Sequence, residues 1–80
     1  MQCKYETRIS AACPTDGLPD VYDAIFESGE MVRVEDILAA VKPFLERKAF
    51  QEEIAQELAL KCRVTLIGAH SGVKTSVQAP

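Results

Sequence analysis

From Cys3 to Ala12 the chain alternates. Cys3, Tyr5, Thr7, Ile9 and Ala11 share one face, while Lys4, Glu6, Arg8 and Ser10 share the other. Successive side chains of an extended chain point to opposite sides, so this period predicts a half-buried β-strand. The stretch Cys13-Pro14-Thr15-Asp16-Gly17-Leu18-Pro19-Asp20 that follows is dense in turn formers. Residues 21–28 fit two readings. Val21, Ala24, Ile25 and Ser28 suit a short helix stopped by Gly29, whereas Tyr22, Ala24 and Phe26 suit one face of a strand returning along the first.

The second half is periodic in another way. Ile37, Leu38, Val41 and Leu45 are helically spaced between Val34 and about Glu46, and Pro43 kinks or ends that helix. Phe50, Ile54, Leu58 and Cys62 recur every four residues and predict a second helix, with Gln51, Glu52, Glu53, Gln56 and Glu57 outside. Val64 to Ala69 is an apolar-rich run. Ser71-Gly72 then reads as a two-residue hairpin turn, and Val73, Thr75, Val77 and Ala79 alternate against Lys74, Ser76 and Gln78. If 21–28 is a strand, the order is ββααββ, an α+β unit with open sheet edges. Open edges demand cover or pairing, and copies of the same chain joined edge to edge into a closed barrel supply it.

Composition narrows the picture. Eighty residues, 48% of them hydrophobic, make one ordered domain spanning 1–80. A chain this short needs a disulfide, a metal or self-association to reinforce its core. Cys3, Cys13 and Cys62 are odd in number, widely spaced and not preceded by a signal peptide, and His70 is the sole histidine. The expectation is reduced thiols in a cytoplasmic protein, no metal site, no membrane span, and a homo-oligomer. A net charge of −3 gives no basic footprint for nucleic acid.

The segment Cys13 to Asp20 resembles the C-P-x-x-G-x-P-D loop of the 7-cyano-7-deazaguanine reductases (QueF), the nitrile reductases of queuosine synthesis. Val34-Glu35 resembles that family's V-E at the start of its first helix. Phe50-Gln51-Glu52-Glu53 resembles its F-H-E-D segment, and Val64 through Gly72 to Val77 its closing hairpin. The resemblance implies the tunnelling fold: a ββααββ unit, an antiparallel sheet with two helices on one face, closing into a barrel by oligomerisation with ligand sites between subunits. It implies Cys13 as the nucleophile forming a thioimide and Asp20 as the proton-transferring carboxylate. Glu52 would anchor the guanine-like edge, with Glu35 and Gln51 as further pocket residues. Two departures stand out. Gln51 replaces the family's histidine, and Glu35 runs into Asp36, Ile37 and Leu38, where the family's NADPH motif carries a lysine. NADPH is thus a cofactor whose motif is missing, and the chain resembles the NADPH-independent, amidine-forming relatives at least as well.

The chemistry suits these residue types. A thiolate is a competent nucleophile toward a nitrile carbon, and a positioned carboxyl can protonate the nitrile nitrogen. One carboxylate can accept two adjacent N–H groups of a guanine-like ring. The same residues also have plainer readings: a buried free cysteine in a hairpin loop, a solvated acidic face for Glu52, and a helix-dipole partner for Glu35. His70 reads as a solvent-facing turn residue and Cys3 and Cys62 as core; Tyr5, Tyr22 and Phe26 suit stacking on a ligand but read first as core. The leading expectation is a protein that binds a 7-deazaguanine nitrile and forms a thioimide, resolved by reduction or amine attack. Its alternative is a non-catalytic purine- or pterin-binding or assembly module. A tRNA-borne substrate would have to be met by Arg47, Lys48, Lys61 and Arg63, so a free base or nucleoside is favoured.

Overall fold

The computed structural model describes residues 1–59 and 62–80; Lys61, considered above for RNA contact, lies outside them. Four strands form one antiparallel sheet in the order β1-β2-β3-β4, with β1 Cys3–Ala12, β2 Pro19–Ser28, β3 Arg63–His70 and β4 Val73–Ala79. The ambiguous segment is therefore a strand. It pairs from Cys3↔Ser28 to Ala12↔Pro19, which puts Tyr22, Ala24 and Phe26 on the face shared by Ile9 and Ala11. Burial of Tyr22, Ala24 and Phe26 on the sheet face, with ten residue pairs along β1, outweighs the weak helical pattern of an eight-residue stretch. Ser71 and Gly72 both have positive φ, 51° and 81°, as a tight turn matched to the twist of its strands requires.

Between β2 and β3 lie helix α1 (Val34–Val41), a 3₁₀ turn (Lys42–Glu46) and helix α2 (Gln51–Leu58). These cover one face of the sheet, and Ile37, Val41, Phe44, Ile54, Ala55 and Leu58 meet the inward side chains of the strands in one core. Pro43 lacks the N–H an α-helix needs, so α1 stops at Val41 and the chain tightens to three residues per turn. This corrects the predicted apolar face. Phe44, three residues after Val41, takes the core place expected of Leu45, while Leu45 and Leu38 remain exposed.

The second helix is corrected likewise. Phe50 caps α2 from outside the helix and is 51% exposed. The buried stripe is Gln51, Ile54, Ala55 and Leu58, the i, i+3, i+4, i+7 face of a helix that begins one residue later than Phe50. Cys62 lies beyond the helix, half-buried against the core. Gln51 is thus an inward residue, although its polarity had placed it outside. Among the described residues the sheet does not close on itself: β4 keeps a free edge, and so does β1 up to its last residue, Ala12, which bridges to Lys48.

Candidate active site

The loop between β1 and β2 is stitched shut by its own backbone. Cys13 N–H donates to the Leu18 carbonyl at 2.8 Å and Gly17 N–H to the Cys13 carbonyl at 2.8 Å. Asp16 accepts the Leu18 N–H at 3.0 Å, a contact that lowers its carboxyl below the ordinary value. Gly17 carries the positive φ of 76° that the reversal demands. This closure returns the chain so that Cys13, Asp20 and Tyr22 stand side by side on the helix-covered face of the sheet.

A second set of hydrogen bonds brings α2 to the same place. Ala12 N–H donates to the Arg47 carbonyl at 3.1 Å and Ala49 N–H to the Ala12 carbonyl at 3.2 Å, a short parallel bridge at the end of β1. Phe50 and the first turn of α2 are thereby fixed beside Cys13. Glu53 accepts the Phe50 N–H at 3.0 Å; Phe50 has no acceptor of its own, so only this half of a capping box forms. Gln51, 7% exposed, donates its amide NH₂ to the carbonyls of Leu66 at 2.8 Å and Thr75 at 3.4 Å. Both partners are acceptors, so the amide can face them only with its nitrogen. Gln51 pins the start of α2 to β3 and β4.

These contacts frame an open cavity of about 170 Å³. Cys13 and Tyr22 lie at its base with Asp20 and His70 beside them; Phe50, Gln51, Glu52 and Thr75 form the helix side and the far wall. Cys13 is only 4% exposed and lines this opening. The Asp20 carboxylate and the His70 imidazole Nδ1 are 3.8 Å apart. The donor atoms of Cys13, Asp20 and His70 all lie within 4.8 Å of one another. Burial, and next the Asp20 charge, push the Tyr22 phenol up to about 12. Tyr22 therefore remains a neutral hydroxyl across the physiological range.

The acids of α2 divide by role. Glu53 caps the helix and Glu57 grips Arg47 in a two-point ion pair at 2.7 and 2.8 Å. Glu52 makes neither kind of contact among the described residues and borders the cavity.

Four of the residues singled out from sequence converge here: Cys13, Asp20, Gln51 and Glu52. Glu35 does not. It opens α1, is exposed, and pairs with Arg33 at 3.3 Å, away from the cavity of its own chain. Tyr5 accepts the Val32 N–H at 3.0 Å and so holds the approach to α1, as a core-facing tyrosine. Tyr22, weighed as core first and ligand-stacking second, lines the cavity. Two further lining residues were missed: Thr75 read as an ordinary strand residue, and His70 as a solvent-facing turn residue, whereas it borders the cavity while 54% of its side chain stays exposed. Strand parity carries the signal for His70, since Val64, Leu66, Gly68 and His70 alternate onto one face.

No helix of the described residues is long and apolar enough to cross a membrane. No protein-family model matches the chain, and no curated protein matches it. Among solved structures, it is similar to the archaeosine synthase QueF-Like in its apo form, with a TM-score of 0.89 and 23% identity over 98% of this chain and 90% of that one. The fold is thereby the ββααββ unit of that structure, the α+β tunnelling-fold architecture expected from the sequence.

Proposed function

We propose that this protein is a cytoplasmic enzyme acting on the nitrile of a 7-deazaguanine ring, with Cys13 as the covalent nucleophile. The observation that carries the reading is the meeting of Cys13, Asp20, Tyr22 and Glu52 around one opening. In this reading Glu52, the uncommitted acid of α2, accepts the adjacent N–H donors of the guanine-like edge. Phe50, half exposed at the rim, offers its ring to the base. The Cys13 sulfur adds to the nitrile carbon, forming C–S as one C≡N π bond breaks. The thiol proton passes to the Asp20 carboxylate and from it to the nitrile nitrogen, leaving a thioimide. Tyr22, held neutral, donates its hydroxyl toward Asp20 and keeps that carboxyl oriented.

The thioimide is then attacked by ammonia or an amine, which forms C–N and expels the Cys13 thiolate to leave an amidine. Two points favour this fate over reduction. No lysine follows Glu35 where the NADPH motif would place one. The similar solved structure is called an archaeosine synthase. A net charge of −3 favours a free base or nucleoside over tRNA. Arg47 is already committed to Glu57.

The cavity is small against the roughly 300–1,000 Å³ of ordinary ligand sites, and it is open to one side. A second copy, paired along the free edge of β1 or β4, would complete both the sheet and the pocket. Glu35 can serve the site only from such a neighbouring copy.

Intact-protein mass spectrometry with 7-cyano-7-deazaguanine tests the reading. Wild-type protein should gain the mass of the whole ligand, Cys13→Ala should not, and added ammonium should discharge the adduct as the amidine. A folded wild-type protein that gains no mass in excess ligand would instead be a non-catalytic purine- or pterin-binding or assembly module.

A further inference from the structure

We infer that Cys13, Asp20 and His70 form a three-ligand site for a divalent transition-metal ion of the zinc class, and that such an ion and a nitrile compete for the Cys13 sulfur. The metal half stands on the geometry alone; the competition half rests on the proposed nitrile chemistry.

The three residues come from three places in the chain: the end of β1, the start of β2 and the end of β3. Strand pairing puts them at one end of the helix-covered face, with all three donor atoms within 4.8 Å of one another. A tetrahedral ion with bonds of about 2.0–2.3 Å holds its donors roughly 3.3–3.8 Å apart. The Asp20–His70 pair already stands at 3.8 Å. No donor pair needs to close by more than about 1 Å, and His70 is free to adjust toward the other two, because it sits next to the Ser71-Gly72 turn and its side chain is half exposed. Cys13, by contrast, is buried and held by the closed loop.

The donor set selects the ion. Magnesium and calcium seek six or more oxygens, whereas thiolate plus imidazole plus one carboxylate suits zinc and its neighbours. Three protein ligands leave a fourth position, and here it faces the cavity, as in sites that keep a water or a small ligand on the metal. Binding releases the Cys13 proton and places the sulfur electron pair on the metal. A metal-bound thiolate has part of its electron density drawn to the ion and one side covered by it, so it is a weaker nucleophile toward the nitrile carbon than the free thiolate. Spacing along the sequence concealed the site, because no two of its residues are near enough in the chain to read as a ligand motif.

Cobalt(II) titration of chelator-treated protein is the test. One cobalt per chain should bind with a thiolate-to-metal charge-transfer absorption. That absorption should vanish in Cys13→Ser and persist in Cys3→Ser and Cys62→Ser. Affinity should fall at least tenfold in His70→Gln and in Asp20→Asn, with His70→Gln the cleaner variant because its side chain is half in solvent. Stoichiometric zinc should slow mass-adduct formation with 7-cyano-7-deazaguanine, a chelator should restore it, and in His70→Gln zinc should no longer interfere. A cobalt spectrum without the sulfur band, or affinity untouched in His70→Gln, would overturn the site. An adduct in metal-free protein with no metal binding leaves the nitrile reading standing and removes this inference. Metal binding with no adduct does the reverse. An adduct that forms equally fast with saturating zinc bound overturns the competition.

Discussion

The helix-covered face of the sheet ends in two different ways. At the end where β1 begins, Phe26, Ile37 and Leu58 close over a crevice of only about 20 Å³. Cys62 sits there half-buried, its thiol pushed up by burial. At the opposite end the sheet runs on past the first turn of α2, and the same alternating positions carry Cys13, Asp20, Tyr22, His70 and Thr75 around a cavity of about 170 Å³. Both ends contain a free cysteine on the same face. The difference lies in cover: helices lie over one end, while only a helix start, pinned by Gln51, reaches the other. A cysteine among apolar neighbours is packing material, whereas one beside a carboxylate, a phenol and an imidazole can do chemistry.

Exchanging the two cysteines gives the largest expected contrast. Cys13→Ala should abolish the nitrile adduct completely. Cys62→Ala should leave adduct formation intact while lowering stability by about 1 kcal/mol, as loss of a small partly buried side chain does. Unfolding in urea and adduct mass, measured on both variants, separate the roles.

The next effect comes through Gly68. A Cβ built there would stand 2.6 and 2.9 Å from the Tyr22 ring carbons, so the strand or the Tyr22 ring that lines the cavity must shift. Gly68→Ala should cost about 1–3 kcal/mol of stability through overpacking. It should also slow adduct formation at the open end by at least tenfold. A variant that is destabilised yet forms adduct at the wild-type rate would show that the position of Tyr22 does not matter to the site.

A smaller effect is expected from Gln51→Met. The swap keeps length and apolar bulk but leaves the Leu66 and Thr75 carbonyls without their donor. The cost should be about 1 kcal/mol or somewhat more, with a looser α2 start detectable as faster amide exchange at Ile54 and Ala55.

The smallest effect concerns Arg47 and Glu57. The pair is about half exposed, so Glu57→Gln should cost at most about 1 kcal/mol at neutral pH. Arg47 holds the Glu57 carboxyl below its ordinary value. Its contribution is therefore full above the unfolded carboxyl range, near pH ~4.3, and fades as pH falls through the lower folded value. The stability gap between wild type and Glu57→Gln should close in acid and persist at neutral pH.

Much of this was legible in the chain. The alternation of 3–12, the Ser71-Gly72 turn and the stop at Pro43 each rest on one local rule, and each holds. The Cys13–Asp20 pairing was legible too, because a loop with two prolines and a glycine folds back on itself. What escaped depends on register and on where helices start. Residues 21–28 are settled by the partner strand, Phe44 replaces Leu45 because a 3₁₀ turn shifts the face, and Gln51 turns inward because carbonyls from β3 and β4 await it. His70 joins Asp20 only because β2 and β3 extend far enough, in the right register, to bring their ends together. Glu35 stays apart in a single chain, since α1 starts elsewhere.

Peptide-resolved mass spectrometry of wild-type protein incubated with 7-cyano-7-deazaguanine tests the assignment of Cys13 most directly, because all three cysteines compete in one sample. The expected result is the whole ligand mass on the peptide carrying Cys13, with those carrying Cys3 and Cys62 unmodified. Ligand mass spread over all three peptides, or found on none while the protein remains folded, would contradict it.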